Sequence, residues 1–110
     1  MKLSTFTYSD TNRAAISNIT IKNPEQALVI MFGPSGLLDT PASVQSVLAA
    51  YPGAPAIGCS SSGEIFGTHI QDDTLVVALL QFDHTTVRTA SAPVTDPGKS
   101  FEAAQSLAHQ

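Results

Sequence analysis

The run QALVIMFG at residues 26–33 places no charge and, after Gln26, no polar side chain on either face of an extended chain. Asn23-Pro24 precedes it and Gly33-Pro34 ends it, and both pairs favour turns. An amphipathic helix or a half-exposed strand would show polar residues at its own period. A short apolar run between turn signals therefore predicts a strand covered on both sides. Such a strand needs neighbours in a sheet and a layer packed above it, which commits the chain to a layered fold.

The neighbours are legible downstream. After PSGLL at residues 34–38, Asp39 or Thr40 can cap a helix, Pro41 fits its first turn, and Val44, Val47, Leu48 and Tyr51 recur at helical spacing. Pro52-Gly53 stops that helix. A small apolar run at residues 54–59 follows, with Pro55 restricting the strand to its later residues or to a sheet edge. Strand, helix and strand in that order predict a right-handed parallel crossover.

The next stretch changes character. Residues 63–70 read as a strand, Gln71-Asp72-Asp73 as a tight turn, and residues 74–82 as a long strand apolar on both faces. A turn at Asp83-His84 leads to a further strand at 86–91, and three successive strands joined by short turns predict antiparallel pairing. Residues 2–8 predict a strand with Leu3 or Phe6 facing the core, and residues 10–18 a short helix built on Ala14, Ala15 and Ile16 behind the caps Ser9 and Asp10. Beyond Pro93, Asp96 can cap and Pro97 can open a last helix with Phe101, Ala104, Leu107 and Ala108 on one face. The fold class is thus α/β: a mixed parallel and antiparallel sheet with packed helices, residues 1–110 forming one domain. The chain shows no internal repeat, low-complexity tract or linker.

Composition excludes several partners. Five Lys and Arg against nine Asp and Glu leave a net charge of −4. The basic residues Lys2, Arg13, Lys22, Arg88 and Lys99 are dispersed, so no basic stripe exists to displace counterions from nucleic acid or to hold an anionic membrane. A single cysteine, Cys59, forms no internal disulfide, and no apolar stretch approaches spanning length. A soluble, cytoplasmic protein is the expectation.

The segment GCSSSGE at residues 58–64 carries the most chemistry. It falls where a strand of the crossover runs out into a turn, a place where backbone amides and short side chains line ligand crevices in α/β sheets. Ser60, Ser61 and Ser62 supply hydroxyls, Gly58 and Gly63 allow close backbone approach, and Glu64 supplies a carboxylate suited to a ligand amine. The bland alternative is that the serines satisfy the turn's own backbone groups and the glycines permit the bend.

ALVIMFG at 27–33, YPGAPAIGCSSSGEIFG at 51–67 and DDTLVVALLQF at 72–82 together resemble the amino-terminal part of FIST domains, sensory modules of intracellular signal transduction. The likeness spans about residues 26–92, and the order and spacing of the three blocks make it specific. The family string is similar to Gly-Cys-Ser-Thr-Ala-Gly-Glu. Gly58, Cys59, Ser60, Gly63 and Glu64 match it, while Ser61 and Ser62 replace the usual Thr and Ala. The resemblance implies a small-ligand sensor, not an enzyme, with Gly58, Cys59, Ser60, Ser61, Ser62, Gly63 and Glu64 at the site. It implies amino-acid-like ligands, or haem and nitric oxide in some members, and output through a signalling kinase, a cyclic-dinucleotide enzyme or a chemoreceptor. It also implies that the chain corresponds to the opening portion of a larger domain. An uncovered sheet edge or helix face would then favour a homo-oligomer.

Two further chemistries are testable in the residues. Cys59 as a nucleophile would need a neighbouring His or other cation, and a buried, inert thiol at a strand end is the expectation instead. The serine-hydrolase pattern G-x-S-x-G fails in both registers, because Ser62 stands where Ser60 needs a glycine and Cys59 where Ser61 needs one. His69, His84 and His109 have no ligand-like spacing, so no metal site is expected. If haem is bound, His69 and His84 are the candidate axial ligands.

Overall fold

The computed structural model describes residues 1–9, 11, 13, 16, 18–39 and 41–110. Four strands form the main sheet: β1 (Lys2–Tyr8), β2 (Ala27–Gly33), β3 (Ala56–Ser60) and β6 (Leu75–Gln81), in the spatial order β1-β6-β2-β3. Between β3 and β6 the chain makes a separate hairpin of β4 (Glu64–Phe66) and β5 (His69–Gln71). Among the described residues two longer helices, α1 (Ala42–Ala50) and α2 (Ser100–Ala108), accompany these strands, together with short 3-10 turns. The sheet is mixed, as expected: β6 runs antiparallel to both β1 and β2, and β3 runs parallel to β2 through the crossover that contains α1.

Register explains the burial. Phe6 lies opposite Val77, which lies opposite Met31, and Val29 lies opposite Leu79. These residues share one face of the sheet, and all are buried. Val47 and Tyr51 from the α1 region close over that face, with Ile16, Ile19, Ile21, Leu37 and Val44 packed around them. The helix pattern of the sequence thus finds its core at Val47 and Tyr51, while Leu48 is 40% exposed at the margin. Phe6 meets the Tyr51 ring at a centroid distance of 6.5 Å and a tilt of 52°, an offset geometry that aromatic pairs favour.

The opposite face departs from expectation. In β2, Ala27, Val29, Met31 and Gly33 are buried, but Leu28 and Ile30 are half-buried and Phe32 is 43% exposed. The strand is therefore fully covered on one side only. In β1 it is Phe6 that faces the core, and Leu3 points to solvent.

Three other expectations are corrected. The strand expected over 63–70 is a hairpin, because Gly67 adopts φ +62 and turns the chain after Phe66, with Phe66 paired to His69. A two-residue loop with glycine first matches the twist of the flanking strands. β5 does not pair with β6, and β6 instead crosses back between β1 and β2, so the serial antiparallel meander is not formed. Residues 86–91 form no strand: Val87 N–H donates one hydrogen bond to Glu25 O at 2.9 Å, without a ladder. The residue composition suits a strand, but both sides of β2 and β6 are already taken within the sheet.

The helix caps differ in detail. Asp39 closes the 3-10 turn Ser35–Leu38, and Pro41 occupies the N-cap of α1 without a side-chain cap, while Thr40 lies outside the described residues. The helix expected over 10–18 depends on Asp10, Ala14 and Ala15, which also lie outside them. At the other end Asp96 accepts from Gly98 N–H at 2.9 Å and Pro97 opens a 3-10 turn that leads into α2. Leu107 on α2 is half-buried, and Phe101 is 79% exposed. No helix among the described residues is long and apolar enough to cross a membrane.

Burial pushes the Tyr51 phenol above its ordinary value of 10.0. Its hydroxyl donates to Ile16 O at 3.4 Å, a long contact that contributes little. Because the folded value is raised, the stabilising contribution is complete below pH 10 and is lost as pH climbs through the folded value. Urea unfolding of Tyr51→Phe from about pH 8 to 11 is expected to show a flatter alkaline limb than the parent, with neutral stability lowered by less than about 1 kcal/mol.

Candidate functional site

β2 and β3 end side by side, with Gly33 opposite Ser60. Ser61 N–H extends this by donating to Gly33 O at 2.9 Å, after which Ser62 and Gly63 turn the chain into β4. Gly58, Cys59 and Ser60 are therefore the last residues of β3, the two serines and Gly63 form the turn, and Glu64 is the first residue of β4. β3 is a sheet edge, one of the two placements that Pro55 allows, and Ile57, Gly58, Cys59 and Ser60 are exposed rather than buried at the strand end.

The string divides between two concavities. A polar cavity of about 390 Å³ is bordered by Pro34 and Ser35 after β2, by Ser60, Ser61, Ser62, Gly63 and Glu64, and by Asp72 and Asp73 from the turn after β5. An apolar cavity of about 340 Å³ lies between β3 and α1, where Gly58, Cys59 and Ser60 join Met31, Leu37, Val44 and Leu48. Ser60 belongs to both. Either volume suits a small metabolite. Only the polar one places a buried charge beside hydroxyl groups.

Glu64 is that charge. It is 2% exposed, the only buried polar or charged residue among those described. Its Oε1 accepts from the Ser61 hydroxyl at 2.9 Å, and the same hydroxyl is 3.3 Å from Gly63 O. Its Oε2 is buried without any partner. A carboxylate oxygen withdrawn from water without a donor is costly, and such atoms in native proteins call for an explanation.

Gly58 is required by its neighbours. A Cβ built there would fall 2.6 Å from Met31 O and 3.2 Å from Met31 Cβ, so an alanine must push the β2 and β3 backbones apart. Gly58→Ala is expected to destabilise by about 1–3 kcal/mol in urea titrations. Gly36→Ala, where a methyl group meets nothing within 4 Å, serves as the near-neutral control. Gly63 has a different constraint: its Cβ would lie 3.3 Å from Ile70 Cγ2 across the hairpin.

The remaining candidates do not converge. Cys59 is exposed rather than buried, because β3 has a partner on one side only. Among the described residues no histidine borders either cavity. His69 is exposed on β5, with its Nδ1 3.3 Å from the Thr68 hydroxyl, and His84 is exposed after β6. Neither lines the apolar cavity between β3 and α1, the surroundings a haem ligand at this site would need. Among the described residues no group of three or more His, Cys, Asp or Glu could hold a metal ion.

Asp72 and Asp73 are exposed in a turn, as the sequence indicated, and also border the polar cavity. The signal was present in the hairpin: pairing Glu64 with Gln71 brings the residues that follow Gln71 beside Glu64.

No curated protein and no solved structure matches the chain. The family model of the FIST N domain matches residues 27–110, which takes in β2, both cavities, the hairpin, β6 and α2. The chain belongs to the FIST N domain family, a family of sensory domains of signal transduction and not of enzymes.

Proposed function

We propose that the chain is a cytoplasmic small-ligand sensor whose polar cavity is the binding site, with Glu64 receiving a protonated amine of an amino-acid-like ligand. The observation that carries this reading is the unpartnered Oε2 of a nearly inaccessible Glu64 at a cavity lined by hydroxyls. An ammonium group satisfies that oxygen with a charge-assisted hydrogen bond. Ser60 and Ser62 offer hydroxyls for the rest of the ligand, and Ser61 holds Oε1 in place.

Binding favours the conformers in which the serine turn and Glu64 are ordered around the ligand, and that shift in population is the signal passed to a kinase or a cyclic-dinucleotide enzyme. Amide chemical shifts recorded during titration with amino acids and their amides test the reading. Saturable shifts centred on residues 60–64, with affinity severely weakened in Glu64→Gln, are expected. Shifts that saturate around Gly58 and Leu48 instead would move the site to the apolar cavity and overturn it.

A further inference from the structure

Among the described residues, the polar cavity is bordered by three carboxylates, Glu64, Asp72 and Asp73, and by no Lys, Arg or His. They are not equivalent. Glu64 is buried with one oxygen unpartnered, whereas Asp72 and Asp73 are exposed at the rim. Asp73 is held at φ 61, and the Thr74 hydroxyl donates to Gln71 Oε1 at 3.1 Å across the same turn. The cavity thus has an anionic floor and an anionic rim, joined by the hydroxyls of Ser60 and Ser62.

Those carboxylates do not converge on one point, as the coordination of a hard metal ion requires. They are spread instead. Gln71 is the register partner of Glu64, so Asp72 leaves β5 one residue beyond it, at a backbone separation of roughly 5–8 Å. Separated negative charges are matched by a ligand with separated positive charges. A zwitterion that places its ammonium on Glu64 would bring its own carboxylate toward the rim aspartates, with no cation among the described lining residues to compensate. The net charge of −4 adds an attraction for cations and a penalty for anions.

We infer that this cavity selects a short organic dication, a diamine with one ammonium on Glu64 and the other at the Asp72 and Asp73 rim. The inference rests on the sensory reading of the same site. It narrows the ligand from amino-acid-like compounds to those without a free carboxylate.

Four probes of one chain length decide it: 1,4-diaminobutane, butylamine, 4-aminobutyrate and 1,4-butanediol, each titrated into the full chain and followed by amide shifts and calorimetry. The diamine is expected to bind at least roughly fivefold more tightly than 4-aminobutyrate. Its advantage is expected to shrink as salt is raised and in the double variant Asp72→Asn/Asp73→Asn, which alters only exposed side chains. Glu64→Gln is expected to weaken all amine binding severely. Equal or tighter binding of 4-aminobutyrate that still depends on Glu64 overturns the dication inference and leaves the sensory reading standing. A diamine that keeps its full advantage in the double aspartate variant overturns the dication inference in the same way. Absence of saturable shifts at residues 60–64 with all four probes overturns both.

Discussion

Glu64→Gln is expected to weaken ligand binding severely in a protein that folds normally. The amide keeps the size of the side chain and the acceptor for the Ser61 hydroxyl, but it removes the charge that an ammonium group would meet. Removing one member of a buried, hydrogen-bonded charge pair costs about 2–5 kcal/mol, so affinity is expected to fall at least roughly thirtyfold. The sign for stability is opposite. In the free protein Oε2 is buried and unpartnered, and Glu64→Met replaces that oxygen by apolar atoms of similar volume. This variant is expected to be more stable than the parent by about 1–3 kcal/mol in urea titrations while binding nothing. A variant that loses stability and binding together would mean that Glu64 serves the fold.

Leu79→Ala is expected to produce the largest loss of stability of any single truncation in the chain. Leu79 is fully buried on β6, with Ser4 of β1 on one side and Val29 of β2 on the other, so its side chain sits where three strands meet. Truncating such a leucine removes transfer free energy and leaves a cavity, at about 2–5 kcal/mol. Against a total stability of about 5–15 kcal/mol this lowers the melting temperature by roughly 10 °C or more, measured by circular dichroism. Phe101→Ala is the contrasting case, because Phe101 is 79% exposed on α2 and its truncation is expected to stay within about 0.5 kcal/mol. A cost for Phe101 near that for Leu79 would contradict the assigned core.

The elements that the sequence predicts well are those whose signals are local. β2 between its two turn pairs, the helix with Val47 and Tyr51 on one face, the parallel return to β3, and the apolar β6 follow from period and punctuation. The errors come from tertiary placement. Pro55 left β3 either shortened or at a sheet edge, and nothing in AIGCS chooses between them; the edge position is what turns Cys59 from a buried thiol into an exposed one. The alternating residues around Gly67 read as one strand until glycine's positive φ divides them. The β-branched residues near Val87 suit a strand, yet the sheet pairs β6 with β1 and β2 instead.

The candidate site was half legible for the same reason. The GCSSSGE string locates the turn and its carboxylate, because both depend on residue type. The split of the string between two cavities depends on which side of the edge strand each residue faces. The membership of Asp72 and Asp73 depends on a hairpin register that appears only once the turn at Gly67 is known.

The hairpin has one mechanical consequence. β4 and β5 ladder with each other and with no strand of the main sheet, and Glu64 stands at the joint where the serine turn enters β4. Pivoting the pair about that joint breaks no rung of the four-stranded sheet. Because β4 also packs against β6, a pull on the buried Glu64 carboxylate would have to shift that packing before the arm, with Ile65 and Ile70 exposed on it, could move.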